Sequence, residues 1–249
     1  MAKLKGILKI EGTLDELTFY KTQDGHLVKT KGGVSADRIA NDPNFQRTRE
    51  NGSEFGSSAT AGKVLRNAVR NLMMNAADNR VTSRLTQVMT QIKNYDVASV
   101  RGERTVADGI ADPAALALLK DFDFNDKAIL SGVLFAPFTV TTATGEIGIP
   151  AFVPINDISF PSGATHISLK AAYANVDFTN EISAIEYSPV TNLPIDGTNT
   201  PVTLTPAAVP AGTGTKFYLL LIEFFQEVNG IQYSLKNGSY NVLNIVEAA

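Results

Sequence analysis

KFYLLLIEFFQEVNGIQYSL, residues 216–235, is the stretch on which the fold class turns. Its apolar part, FYLLLIEFF (217–225), falls far short of the roughly 20 residues a membrane helix needs, and Glu223 interrupts it. It reads as a buried strand. Asn229-Gly230 follows, the strongest short signal for a tight hairpin, and IQYSL (231–235) supplies the return strand. Outward from this hairpin the same two-residue period recurs. Candidate strands are AILSGVLFAPFTV (128–140), EIGIPAFV (146–153), THISLKAAYANVDF (165–178), EISAIEYS (181–188), PVTLT (201–205) and YNVLNIV (240–246). With turn residues between them at regular spacing, they predict an antiparallel β-sandwich over 128–249. The Pro-, Thr- and Gly-rich residues 189–214 read as a long loop or edge excursion.

Upstream the period changes to that of a helix. In AGKVLRNAVRNLMMN, Val64, Leu65, Ala68, Val69, Leu72 and Met73 share one face, while Lys63, Arg66 and Arg70 fall on another. After the polar break AADN, RVTSRLTQVMTQIKN repeats the device: Val81, Leu85, Val88, Met89 and Ile92 inward, Arg80 and Arg84 outward. This spacing predicts a helical hairpin. Asn41-Asp42-Pro43 and Asp112-Pro113 have the form of helix starts, an Asx cap followed by proline at the first helical position. The helix after Pro43 ends at Asn51-Gly52 or runs on through Gly56, and Ser57, Ser58 and Thr60 are the expected caps of the helix that follows. Near the start, LKGILKI (4–10), LTFYKT (17–22) and HLVKTK (26–31) alternate around a turn at Gln23-Asp24-Gly25. Ser35 is placed to cap a short helix, SADRIAN.

The chain of 249 residues is 44% hydrophobic and 19% charged, the composition of a globular protein with ample core. It has no cysteine and only two histidines, His26 and His166, so disulfides, thiolate metal sites and a cysteine nucleophile are excluded. The net charge of −3 hides a polarity. Residues 1–105 carry 17 Lys+Arg against 11 Asp+Glu, residues 106–249 carry 5 against 14, and all nine arginines lie in the first part. Either two regions simply have different surfaces, or the polarity holds an anionic partner or the acidic end of a second copy. MAKLKGILKIEGTLDEL contains no uninterrupted apolar segment and no small-residue cleavage site. A cytoplasmic setting is therefore expected, with export by a route lacking a classical signal left open.

Catalytic and ligand signatures fail on inspection. Five residues, not four, separate Gly56 from Gly62-Lys63, and Val64 occupies the place of the hydroxyl a phosphate loop requires. DFDFNDKAILSG (121–132) begins like a calcium loop but has Asp126 where glycine belongs and Gly132 where a bidentate glutamate belongs. There is no Gly-x-Ser-x-Gly elbow. Both histidines fall on strands, His166 opposite the apolar face of Ile167, Leu169, Ala171 and Tyr173. No cofactor, metal or catalytic group is expected, and the chain is read as a non-enzyme. What remains is a candidate basic interface: Arg47, Arg49, Lys63, Arg66, Arg70, Arg80 and Arg84. Those residues can converge on phosphates, pair with local acids such as Glu50, Glu54 or Asp78, or meet the acidic part of another copy. The absence of aromatic residues between 56 and 94 weakens a single-strand nucleic-acid reading.

The strings LTFYKTQDG, KGGVS, DPNFQRTRENGSEFG, AGKVLRNAVR and RVTSRLTQVM resemble a family of uncharacterised proteins from Bacteroidetes-type bacteria. The likeness spans most of the chain and is strongest over 12–105. It implies a bacterial setting and a common fold, with no activity and no functional residue to carry over. Together these readings predict an α+β protein. Its parts are an N-terminal β-hairpin (1–34) available to complete the C-terminal sheet, a helical region with a helical hairpin (35–127), and the sandwich (128–249). The expected function is non-enzymatic self-assembly into a ring, tube or filament, the chain being its own partner. The alternatives are a nucleic-acid-binding protein that uses the basic helical face, and a surface- or carbohydrate-binding sandwich module.

Overall fold

In a computed structural model of the chain, residues 2–3, 10–23, 25–30, 32–235 and 238–249 are described. The expected strand at 4–10 lies outside them except for Ile10, as do Asp24 of the expected turn and Lys31. The protein is α+β, and its chain divides into two compact units, 1–49 and 50–249. No described helix is long and apolar enough to cross a membrane.

In the first unit, β1 (Ala2–Lys3), β2 (Gly12–Leu14), β3 (Leu17–Thr22) and β4 (Gly25–Thr30) form an antiparallel sheet in the order β1-β4-β3-β2. The expected hairpin is thus the centre of a four-stranded sheet. Helix α1 (Ala36–Asn41) is capped by Ser35, whose hydroxyl accepts from the Arg38 N–H. Asp42 caps the 3-10 turn Pro43–Phe45 by accepting from the Asn44 N–H at 2.9 Å. Arg49 Nη1 then donates to the carbonyls of Ile39 and Asp42, at 2.8 and 3.0 Å, closing the last turn of α1.

The second unit is layered. Helices α2 (Gln46–Ala68, which starts just before the division), α3 (Arg70–Met73) and α4 (Val81–Ile92) are followed by the short α5 (Val106–Gly109) and α6 (Pro113–Leu116). Then come β5 (Phe122–Asp123), α7 (Leu130–Val133), β6 (Thr139–Thr141), β7 (Glu146–Ile149), α8 (Pro154–Asp157), β8 (His166–Asp177), β9 (Ile182–Tyr187), β10 (Thr191–Pro194), β11 (Val202–Leu204), β12 (Thr215–Val228), β13 (Ile231–Ser234) and β14 (Val242–Ala248). Among the described residues, β10-β8-β12-β14-β5 form one antiparallel sheet, with β9 added to β8 and β13 to β12. A second, smaller sheet has the order β11-β7-β6.

Strand β12 lies at the centre. Phe217, Leu219 and Leu221 pack in one apolar cluster with Leu65, Leu85, Met89 and Ile92 of the helices and with Leu243 and Ile245 of β14. Tyr218, Leu220, Ile222 and Phe224 pack on the other face with Ile147, Ile149, Val202 and Leu204 of the small sheet. Successive residues of a strand point to opposite faces, so a strand covered on both reads as an unbroken apolar run. The expected sandwich is present as two unequal sheets, with the helices covering the opposite face of the larger one. Full burial of each such side chain contributes about 2 kcal/mol. The turn at Asn229-Gly230 has φ of 52° and 76°, the left-handed pair that a two-residue hairpin needs.

Three local expectations are corrected. Helix α2 does not stop at Gly52, and Ser57, Ser58 and Thr60 cap nothing: they lie inside it, with the Ser58 hydroxyl donating to Glu54 O at 2.8 Å. Glycine costs a helix interior about 1 kcal/mol, and here the burial of Glu54, Ser58, Ala61, Val64 and Leu65 along one side outweighs that cost. Residues 128–140 are not one strand, because the Asp123 carboxylate accepts from the Leu130 N–H at 3.0 Å and starts the turn of α7; strand β6 begins only at Thr139. Residues 189–214 are not loop throughout: β10 lies at 191–194, while β11 falls on the expected strand at 201–205.

The hairpin of α2 and α4 has Leu65, Val69, Leu72, Leu85, Met89 and Ile92 all buried, as its periodicity requires. Leu85→Asp would place an unpaired charge in this core and is expected to cost more than about 4 kcal/mol, visible as loss of the cooperative thermal transition. A melt unchanged by Leu85→Asp would contradict the packing. Gly109 makes a close approach to the end of α4, since a Cβ there would lie 2.3 Å from Ile92 O. Gly109→Ala is accordingly expected to destabilise by about 1–3 kcal/mol in chemical denaturation, although alanine is otherwise the better helix former.

Candidate interaction surfaces

The seven basic residues are not all free to meet a partner. Arg84 turns inward: Nη2 pairs with Asp78, Nη1 donates to Asp123 O at 2.8 Å, and the guanidinium lies 5.2 Å from the Phe122 ring centroid. Asp78 also accepts from the N–H groups of Arg80 and Asp126. Burial alone would raise the Asp78 carboxyl, but these donors outweigh it and hold its pKa below the usual value. The cluster fastens the turn between α3 and α4 to β5. Asn241 completes it, its side chain donating to Asn75 O at 2.9 Å. Arg49 is likewise committed to the carbonyls that end α1. Arg66 is half-buried, its Nη1 has no hydrogen-bond partner among the described residues, and burial lowers its pKa. Arg47, Lys63, Arg70 and Arg80 are exposed.

A second ionic cluster was only hinted at by Glu54 in the sequence. Glu54 is buried inside α2, where it pairs with Lys93 and accepts from the Gly102 N–H at 2.8 Å, with Arg104 Nε 3.9 Å away. Lys93 first, then the Gly102 N–H, hold its carboxyl below the usual range. Asp96 accepts from the N–H groups of Ala98, Ser99 and Thr105, so the loop after α4 is fixed at both ends. These acids are consumed by structure. No group of three or more His, Asp or Glu suited to a metal occurs among the described residues. His166 Nδ1 lies 3.0 Å from Thr165 Oγ1 and its Nε2 3.6 Å from Glu227, contacts that tie the end of β8 to β12.

Two surfaces stand out instead. The first is the N-terminal sheet, whose register puts Leu14, Leu17, Phe19 and Val28 on one face together with Lys21, His26 and Thr30, and Thr13, Thr18, Tyr20, Thr22, Leu27 and Lys29 on the other. Leu14 is 63% and Leu17 41% exposed, and no described residue between 10 and 49 is buried. The second is a groove of about 660 Å³ on α2 and α4, with Phe55, 58% exposed, at its rim. The alternation in LTFYKT held the signal for the first. For the second, Phe55 was an isolated aromatic in a glycine- and serine-rich run.

Compared with protein-family models, curated proteins and solved structures, the chain matches none of them.

The Glu54 cluster predicts a pH dependence with a definite sign. Its folded pKa lies below the unfolded value of 4.5, so its contribution is present above that value and lost as pH falls through the lower, folded one. Asp78 and Asp96 add to the same trend. Lys93→Ala, which leaves the Glu54 carboxylate buried without its partner, is expected to cost roughly 3 kcal/mol at neutral pH. Part of that cost should vanish in acid, where Glu54 takes up a proton. Equal destabilisation by Lys93→Ala at pH 7 and in acid would contradict the assignment.

Proposed function

We propose that the protein is a structural, self-assembling one, in which the apolar face of the N-terminal sheet of one copy docks on the body of another. The observation that carries this reading is the sheet itself. It gathers Leu14, Leu17, Phe19 and Val28 toward one end of one face, beyond which lie Lys21 and His26, yet no described residue between 10 and 49 is buried. A two-faced sheet gains stability by covering its apolar face, and a unit of this size has little core of its own to do so. Charge supports a second copy as the cover. Residues 1–49 carry nine Lys+Arg against six Asp+Glu, whereas residues 50–249 carry 13 against 19. Contact between unlike surfaces is heterologous, and it closes into rings or propagates into tubes and filaments.

A nucleic-acid reading has less to draw on, because Arg84 and Arg49 are spent on internal partners. It rests on Lys63, Arg66, Arg70 and Arg80, and it would require affinity for duplex DNA that falls linearly on a log–log salt plot.

The experiment is sedimentation and electron microscopy of the full chain beside Leu14→Asp/Leu17→Asp. Both positions are exposed enough for the substitution to leave the body of the protein folded, which circular dichroism checks. The wild type is expected as large species that persist in high salt through the apolar contact, and the double variant as small ones. A wild type and variant of the same mass would refute the proposal.

A further inference from the structure

Segments 133–135 and 157–159 run antiparallel through the bridge between Leu134 and Ile158. The Phe135 N–H donates to Asp157 O at 2.8 Å and the Ser159 N–H to Val133 O at 2.9 Å. Leu134 and Ile158 are buried in the same apolar cluster as the small sheet, and alternation along an extended segment then turns Phe135 outward. Phe135 is 57% exposed. Its bond to Asp157 holds it to α8, which carries Ile155, 50% exposed and fixed through its N–H to Asp196 O at 3.1 Å. The charges fixed beside this apolar pair are negative. Asp157 Oδ2 accepts from the Val153 N–H at 2.7 Å and Asp196 Oδ1 from the Thr198 N–H at 2.8 Å, and each carboxylate has a second oxygen to offer. Residues 128–215 hold six Asp+Glu against a single Lys or Arg. That one cation, Lys170, stands on the helix side of β8 with its ammonium 4.3 Å from the Tyr187 ring centroid.

We infer that this acid-rimmed ridge receives the N-terminal sheet of a second copy, with Leu14 and Leu17 against Phe135 and Ile155 and Lys21 beside Asp157 and Asp196. The inference rests on the sheet docking proposed above and names the surface of the body that takes it up. Two features match. The sheet register puts the exposed Lys21 on the face that holds Leu17 and Phe19, at the end away from Leu14. The sheet thus offers an apolar end and a cationic end, and the ridge offers exposed apolar side chains next to carboxylates. Complementary charge orients a contact and disfavours wrong partners, while an apolar centre holds it together. The N-terminal unit carries nine Lys+Arg against six Asp+Glu, opposite in sign to the stretch that bears the ridge. Because sheet and ridge are different surfaces and each copy has both, the contact repeats from copy to copy.

Cross-linking tests whether these two surfaces meet. The protein has no cysteine, so Leu17→Cys on one full-length chain and Ile155→Cys on a differently tagged one each introduce a single thiol. In coexpressed chains a short bis-maleimide should join the two tags, and neither variant alone should give a joined pair. Absence of the mixed product overturns the inference, as does an equal yield from Leu17→Cys alone. Ile155→Asp/Asp196→Lys gives an independent reading, since both positions are exposed and circular dichroism checks the fold. Sedimentation should show its large species lost, as for Leu14→Asp/Leu17→Asp. Large species that survive Ile155→Asp/Asp196→Lys but not Leu14→Asp/Leu17→Asp overturn the ridge and leave the sheet docking standing. A wild type with the mass of Leu14→Asp/Leu17→Asp removes the docking itself, and the ridge with it.

Discussion

Strand β12 is covered on both faces, and the second unit is arranged around that requirement. Phe217, Leu219 and Leu221 need an apolar layer on one side, and Tyr218, Leu220, Ile222 and Phe224 need another on the opposite side. The helical hairpin supplies the first and the small sheet β11-β7-β6 the second. Neither layer is closed by apolar packing alone. Arg84 and Asp78 pin the hairpin turn to β5, Asn241 binds the carbonyl of Asn75, and Tyr218 reaches Thr142 O at 2.6 Å beneath the small sheet. The polar groups that a three-layer arrangement buries are thus largely the ones that fix its layers in register.

Periodicity made the helical hairpin and most of the strands legible, because a half-covered helix or strand must segregate its apolar residues. Asn229-Gly230 was legible for a different reason: few residues adopt two successive left-handed conformations. The misread elements share a cause. Local propensity placed the caps of a new helix at Ser57, Ser58 and Thr60 and extended 128–140 as a strand. Contacts distant in sequence decided otherwise, Glu54 with Lys93 along the helix and Asn244 with Asp123 at the start of the turn. One member of the basic set, Arg84, has internal partners of the same distant kind. Arg84 has the spacing of a surface residue, yet its main-chain acceptor, Asp123, is 39 positions away. The groove was hidden at the level of single atoms, since nothing in TSRLTQVMT says that Thr86 and Thr90 turn their hydroxyls back onto the helix.

The two units differ in how much of their surface they cover for themselves. Residues 50–249 enclose two apolar clusters, whereas the N-terminal sheet gathers Leu14, Leu17, Phe19 and Val28 on one face and no described residue between 10 and 49 is buried. Stability of such a sheet is tied to whatever covers it, so binding and local order rise together. This coupling gives the assembly account its most direct test, amide hydrogen exchange of the wild-type chain followed across a dilution series. The account predicts that protection of strands 17–22 and 25–30 falls as the protein is diluted, while protection of 215–228 stays constant. Protection of the N-terminal strands that is independent of concentration would contradict it.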